Sequence, residues 1–288
     1  PEAEKAKILG FAGYKAAMAH AVVIDSRKES VTFGQEVVLP VTVLDCPPLK
    51  ALGIRAYEKT MKGLRVLSES WTKDLPKDLA RKTKVKPNEN FAKIENSLDK
   101  ISNLRLIVST QPRLSGVGKK KPEIFEIEIG GKDAKEKIDL AKQLLGKEIA
   151  AKDVVKEGEL MDAVAVTKGK GTAGPVKRFG IKIQVRHATK KFRHVGTLGP
   201  ETPARVLFSV PQAGQLGFQT RTELNKRILK IGEKGEEITP KSGFKRYGII
   251  KSNYIVVEGS IPGSKKRLVM LRPAIRPLKV KLLVPEIK

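Results

Sequence analysis

The apolar and polar positions fall into short strand-like runs at both ends of the chain, with mixed and partly helical text between them. Ile8 to His20 reads as a loop that enters a strand over Ala21 to Ile24, and Glu36 to Leu44 reads as a second strand in which Pro40 marks an edge or bulge. Cys46-Pro47-Pro48 ends it. Ala51 to Tyr57 and Leu64 to Trp71 read as two strands about a turn at Lys62-Gly63. From Thr72 to about Gly146 acids and bases mix, and short helical patterns over Leu75 to Arg81 and Asn90 to Ile101 mark an inserted unit. Leu104 to Thr110 and Glu123 to Ile129 are strands, the second alternating apolar and acidic residues as a half-buried strand requires. Asp133 caps a helix with Glu136 three residues on. Its apolar stripe is Ile138, Ala141, Leu144 and Leu145, and Gly146 ends it.

Glu148 to Val166 returns to strand-like text, with Ile149 to Val155 and Leu160 to Val166 on either side of a turn at Gly158. Further on, Arg205 to Val210 is strand-like. Thr222 to Ile231 predicts a short helix with Leu224, Ile228 and Ile231 on one face, while Lys226, Arg227 and Lys230 point elsewhere. That helix is either a clamp on a nucleic-acid backbone or a plain amphipathic surface helix. Gly243 to Lys251, Tyr254 to Gly259, Arg267 to Leu271 and Val280 to Leu283 are short β-rich segments between Gly and Pro turns. Evenly spaced short strands at both chain ends, around a helical insertion, predict one closed barrel built from N- and C-terminal parts. The fold class is mainly β with an α+β insertion.

Charge changes this picture. The 288 residues carry a formal net charge of +26, and the sequence pI is near 10.1. Residues 1–160 hold 30 basic and 23 acidic side chains, whereas 161–288 hold 27 and 8, so the second part carries the binding surface. Between Asp162 and Glu201 there is no acidic residue. Over Val166 to Gly199 stand nine fixed positive charges: Lys168, Lys170, Lys177, Arg178, Lys182, Arg186, Lys190, Lys191 and Arg193. Ordering a chain costs roughly 1 to 2 kcal/mol per residue, and this segment has too few apolar residues to offset that with a core of its own. It needs a polyanion. Gly169, Gly171, Gly174 and Gly180 allow close backbone approach, and Phe179, His187, Phe192 and His194 can stack on bases. No apolar run approaches the roughly 18 to 20 residues that span a bilayer, and no basic amphipathic helix is visible, so nucleic acid is favoured over membrane.

Candidate chemistry is sparse. The three histidines are His20, His187 and His194; the last two sit among cations with no carboxylate to orient them, so they read as contact residues. The stretch Gly169 to Gly174 lacks the Lys-Ser/Thr pair of a Walker loop, and no HExxH, CxxC or GxSxG motif occurs. Cys46 is the only cysteine, which excludes an internal disulfide and a Cys-cluster zinc site and places it in the core of a protein from a reducing compartment. Glu236-Glu237 lies in turn-like text. The residues define no catalytic site and no metal site. No secretory signal is visible, and the chain begins at Pro1 without a methionine, so processing or a preceding segment stays open.

Four stretches are specific enough to name a family: Gly13-Tyr14-Lys15 with Met18 and His20, then Thr167 to Gly180, Gly199 to Gly232, and Ser260 to Arg272. They resemble the universal large-subunit ribosomal protein L-three family in its archaeal and eukaryotic form, over nearly the whole chain. The resemblance implies a translation-protein-like β-barrel on the solvent side of the large subunit. It also implies a long basic finger that reaches through rRNA towards the peptidyl transferase centre without catalysing peptide transfer. Early binding in subunit assembly is implied too, with neighbours of the ribosomal protein L-fourteen type and the factor-binding region, in the cytoplasm. The division expected is 1–52 for the first part of the barrel, 53–146 for the insertion, and 147–288 for the remainder, including an rRNA-penetrating extension at about 167–246. Two departures stand out. Glu201 occupies the tip position that is aromatic in many relatives, and the basic arm with which relatives usually begin is not among residues 1–288, so whether one precedes Pro1 stays open.

On this reading Arg178, Arg186, Arg193, Arg205 and Arg221 make planar or stacked rRNA contacts. Lys168, Lys170, Lys177, Lys182, Lys190 and Lys191 act as point charges on phosphates. His187, His194, Lys226, Arg227, Lys245 and Arg246 complete the expected rRNA-binding set, with Pro200, Glu201 and Thr202 at the tip. No cofactor is expected beyond Mg ions of the surrounding rRNA, and no membrane or small-molecule substrate. Two rivals stay open: a general nucleic-acid-binding or DNA-compacting protein, and an RNA-modifying enzyme with a barrel accessory domain. Preference for folded rRNA over duplex DNA separates the first, and turnover on RNA would establish the second.

Overall fold

The computed structural model describes residues 5–27, 30–88, 90–188, 191–278 and 287. The chain divides into two compact units, residues 1–165 with 222–288, and residues 166–221. It is mainly β. In chain order the elements are β1 (Lys7–Ile8), β2 (Phe11–Ile24), β3 (Glu36–Asp45), β4 (Leu49–Thr60), β5 (Gly63–Trp71), α1 (Phe91–Glu95), β6 (Asn103–Ser109), β7 (Ile124–Gly130), α2 (Ala134–Leu144), β8 (Glu148–Ile149), α3 (Ala151–Val154) and β9 (Leu160–Val166). There follow β10 (Thr172–Ala173), α4 (Pro175–Phe179), β11 (Gly214–Gln215), β12 (Thr220–Gly232), β13 (Tyr254–Glu258) and β14 (Leu268–Pro273).

In the first unit six strands follow one another in the order β12, β13, β3, β2, β14, β9 and close into a barrel. The longest ladder joins β2 to β3, from Tyr14 opposite Asp45 to Ile24 opposite Glu36. A second sheet runs β1, β7, β6, β4, β5, with β8 paired to the start of β4. Helix α2 packs against β6 and β7, burying Ile138 and Ala141, and Gly146 closes it in the left-handed conformation (φ 73°). Asp133 stands at the N-cap, but its side chain makes no cap hydrogen bond. Residues of both sheets share one apolar cluster: Phe11, Ala12 and Leu44 from barrel strands belong with Leu106 and Ile127 of the second sheet and with Ile138 of α2.

Several expectations need correction. Thr222 to Ile231 is a strand, within β12. Ile228 and Ile231 do fall in one apolar cluster, but Leu229 enters another, and Leu224 is exposed. The pairing with β13 shifts register between Ile228 and Lys230, so a β-bulge gives a spacing of three that imitates one face of a helix. Phe11 to His20 is strand from its first residue. Its Ala and Gly content reflects close packing: a Cβ on Gly13 would lie 2.5 Å from the Cys46 Sγ. Ala151 to Val154 is a helical turn, fixed by the Ala150 N–H donating to Asp153 Oδ2 at 3.0 Å. Arg205 to Val210 finds no ladder partner and only local turns, and Gly243 to Lys251 folds as turns with one bridge, Phe244 to Gly248. The helical text before β6 condenses into α1 and two 3-10 turns at Lys77–Arg81 and Leu98–Lys100. Val280 to Leu283 lies outside the described residues.

Candidate nucleic-acid interface

The chain passes into the second unit at the end of β9 and leaves it at the start of β12. The two strands of chain at its base are zipped together. Thr167 N–H donates to the Gln219 carbonyl (3.0 Å), Gln219 N–H returns to Thr167 Oγ1 (3.2 Å), Lys170 N–H reaches Leu216 O, and Leu216 N–H reaches Gly171 O (each 2.9 Å). Antiparallel β10 and β11 continue the ladder. Gly217 is required here: its φ is +75°, and a Cβ would lie 2.1 Å from the Lys168 carbonyl oxygen.

Helix α4 sits above this ladder in sequence, with Pro175 at its first turn and Gly180 (φ 71°) ending it by donating its N–H to Val176 O at 2.9 Å. Arg178, half-buried, is held rather than free. Its Nη1 donates to the Gln212 carbonyl at 2.9 Å, and its guanidinium lies 4.9 Å from the Phe179 ring centroid. Gly214 makes room for it, since a Cβ there would meet Arg178 Nη1 at 2.8 Å. Sequence reading missed Thr167, Gln212 and Gly214 as positioning residues because their partners lie tens of residues away.

Between Gly180 and Gly214 the described residues form no helix or strand. Gln184 gives the main cross-links, its N–H to Phe192 O at 3.0 Å and its side-chain amide to His194 O at 3.4 Å. An open cleft of about 1000 Å³ is lined there by Lys170, Lys177, Gln184, Lys191, Arg193 and His194. Lys168, Lys170, Lys177, Lys182, Arg186, His187, Lys191, Arg193, His194, Arg205 and Arg221 are all exposed, as are Pro200, Glu201 and Thr202. Lys190 lies outside the described residues. Phe179, Phe192, Phe208 and Phe218 are exposed as well. Among the described residues, no cation of this unit makes an ion pair, and none of its side chains belongs to an apolar core cluster. Eleven basic residues face one acid, Glu201, with nothing in the unit to neutralise them.

The four expected contact residues of the first unit fare differently. Lys245 and Arg246 are exposed. Lys226 is half-buried and paired with Glu223 at 2.8 Å. Arg227 is buried, donates from Nη2 to Ser26 Oγ at 2.5 Å, and has its pKa pushed down by burial. The helical clamp expected from Lys226, Arg227 and Lys230 therefore does not form, because its backbone is a barrel strand.

A family model described as ribosomal protein L3 matches residues 2–288. The chain belongs to the ribosomal protein L3 family. Relatives of this L3 chain carry the name large ribosomal subunit protein uL3. That of Methanopyrus kandleri is 49% identical over 288 residues, covering 97% of this chain and 80% of its own length. That of Methanocaldococcus jannaschii is 48% identical over 293 residues, covering 100% and 88%, and that of Archaeoglobus fulgidus is 49% identical over 284, covering 97% and 86%. The L3 chain carries no group of three or more His, Cys, Asp or Glu able to hold a metal ion among the described residues, and no helix of the described residues is long and apolar enough to cross a membrane.

Proposed function

We propose that residues 166–221 are the part of this L3 chain that enters rRNA, as a basic finger directed towards the peptidyl transferase centre. As a member of its family the chain is a structural constituent of the large subunit of the cytoplasmic ribosome and not an enzyme, with rRNA and other ribosomal proteins as partners. The observation that carries the finger reading is the unpaired charge of a segment without a core. Ten described cations with no acid partner repel one another in water, and the cost of ordering them is offset when they neutralise RNA phosphates and release the counterions condensed there.

Exposed Lys side chains act as point charges on phosphates, and the exposed Arg side chains take bidentate or stacked positions. Arg178 holds α4 against the returning chain and presents the remainder of its guanidinium. Glu201 serves a donor, either a base amino group, a neighbouring cation or an rRNA-bound metal ion. The barrel is of the translation-protein type and anchors the chain by surface Lys and Arg, among them Lys245 and Arg246. Residues 1–52 and 147–288, apart from the RNA-entering extension, build it, with 53–146 as the insertion. Binding early in assembly and a neighbour of the L14 type complete the reading.

Chemical footprinting of large-subunit rRNA tests it, using the intact chain and a variant lacking residues 181–212. That deletion keeps the ladder of β10 and β11. Loss of a discrete inner set of protections, with the others kept, supports finger insertion; identical footprints from both chains would sink it.

A further inference from the structure

Among the described residues, four that are not glycine hold a positive φ: Phe218 (57°), Asn225 (55°), Arg246 (67°) and Lys266 (69°). Phe218 is the aromatic one, and left-handed backbone costs any L side chain free energy that glycine avoids. Its neighbour makes the contrast. Gly217 is also left-handed (φ 75°), but there a Cβ would strike the Lys168 carbonyl oxygen, so glycine is required. Position 218 keeps a large ring in a conformation that favours glycine, and the fold recovers little from it: Phe218 is 57% exposed and belongs to none of the apolar core clusters. Strain kept around an exposed side chain marks a position whose return comes from a ligand.

Phe218 is also held before any ligand arrives. Gly217 and Phe218 are the two residues between rungs of the ladder at the base of this unit, Lys170 N–H to Leu216 O on one side and Thr167 N–H to Gln219 O on the other. The other exposed rings differ. Phe179 lies against the Arg178 guanidinium, and Phe192 and Phe208 fall in the stretch without helix or strand. Gly169 stands beside Phe218, since a Cβ there would lie 3.5 Å from the Phe218 Cβ. The exposed residues around the ring are Lys168, Gly169 and Lys170 on one strand and Gln219, Thr220 and Arg221 on the other. Arg221 is itself positioned, its Nη1 donating to the Thr220 carbonyl at 2.9 Å and its Nη2 to Gln219 Oε1 at 3.4 Å. One apolar ring among cations and amides fits a stacked base and its phosphates, whereas a protein partner calls for a broader apolar patch.

We propose that Phe218 is a base-stacking residue at the neck of the finger. It takes one unpaired, splayed-out rRNA nucleotide on its ring, with Lys168 and Arg221 on the adjoining phosphates. The proposal rests on the rRNA reading above, and its test separates the two. The full chain is titrated with large-subunit rRNA across a salt series beside two variants: Phe218→Asn, which removes the ring but suits left-handed backbone, and Phe218→Tyr, which keeps the ring. Affinity should fall roughly 5- to 150-fold in Phe218→Asn, the equivalent of about 1 to 3 kcal/mol, and stay near wild type in Phe218→Tyr. The loss should be equal at low and high salt, because no cation is removed. One unpaired nucleotide should lose its protection, and the unfolding free energy of the free Phe218→Asn chain should be no lower than wild type. Unchanged affinity in Phe218→Asn, or an equal loss in Phe218→Tyr, would overturn the stacking site and leave the finger standing. So would a destabilised free chain that loses all the inner protections, which would make the ring part of the fold. A wild-type chain without preference for large-subunit rRNA would overturn both.

Discussion

Asp45 is a carboxylic acid without access to water, and its surroundings define its role. Its carboxyl accepts from Tyr247 Oη at 2.6 Å, from the Gly116 N–H at 3.2 Å and from Ser252 Oγ, joining a barrel strand to two loops 71 and 207 residues away. Burial pushes its pKa up against those donors. Asp45→Ala leaves three donors without an acceptor and should cost about 3 kcal/mol, read as a lower denaturant midpoint at unchanged slope, while Tyr247→Phe should cost about 1. Asp25 is the opposite case. The Arg27 guanidinium donates to it at 2.9 Å and Thr32 Oγ1 at 2.6 Å, holding its carboxyl well below the usual range. A depressed folded pKa gives stability that is present above the unfolded value of about 3.9 and is lost as pH falls below it. The stability gap between wild type and Asp25→Asn should therefore be full at pH 6 and narrow steadily on titration towards pH 3; a gap that does not vary with pH would contradict this. Neither role was legible in the sequence for Asp45, whose partners are remote. Cys46 was legible, because a lone cysteine in apolar text is ordinarily core, and its thiol is indeed fully buried.

At the scale of elements, the sequence misled where a strand broke its own period. In β12 the bulge at Ile228 and Lys230 brings two isoleucines three residues apart into one cluster, and single-chain periodicity cannot distinguish that from a helix. In β2 the small residues that lower strand propensity are the ones that let two neighbours approach, an advantage visible only once the neighbours are present. The turn between β4 and β5 and the stripe of α2 were legible because their signals are local. The ladder at the base of residues 166–221 was not, since Thr167 and Gln219 are 52 residues apart. That ladder makes a specific prediction. Gly217→Ala puts a Cβ onto the Lys168 carbonyl and a side chain into left-handed backbone, which alone costs roughly 1 to 2 kcal/mol. The variant should lose the inner rRNA protections while its unfolding free energy stays within about 0.5 kcal/mol of wild type, because among the described residues none of this unit belongs to an apolar cluster.

Over the whole molecule, charge is distributed by job. In the first unit acids sit beside bases, as in the Arg55, Glu69 and Glu126 set and the Asp78 fork, and such pairs hold sheet and loops together without creating a field. In residues 166–221 eleven bases meet one acid, and that asymmetry was the most legible feature of the sequence because it depends on composition alone. Its energetic meaning follows from counterions. Removing residues 181–212 deletes Lys182, Arg186, Lys190, Lys191, Arg193 and Arg205, six cations in all. If each meets a phosphate, the slope of log K against log salt for large-subunit rRNA should fall by about 4 to 5, so most of the affinity difference between intact and deleted chains should vanish at high salt. Stability should respond in the other direction. Free chain loses a self-repelling segment of which no described residue belongs to an apolar core cluster, so its unfolding midpoint should hold or rise on deletion, and added salt should stabilise the intact chain more than the shortened one. A slope that changes by less than 1 would mean that these cations meet no phosphates, and an unfolding free energy that drops by several kcal/mol would mean that the segment belongs to the protein's own core; with either result the separation of anchoring unit from RNA-bound unit would have to be abandoned.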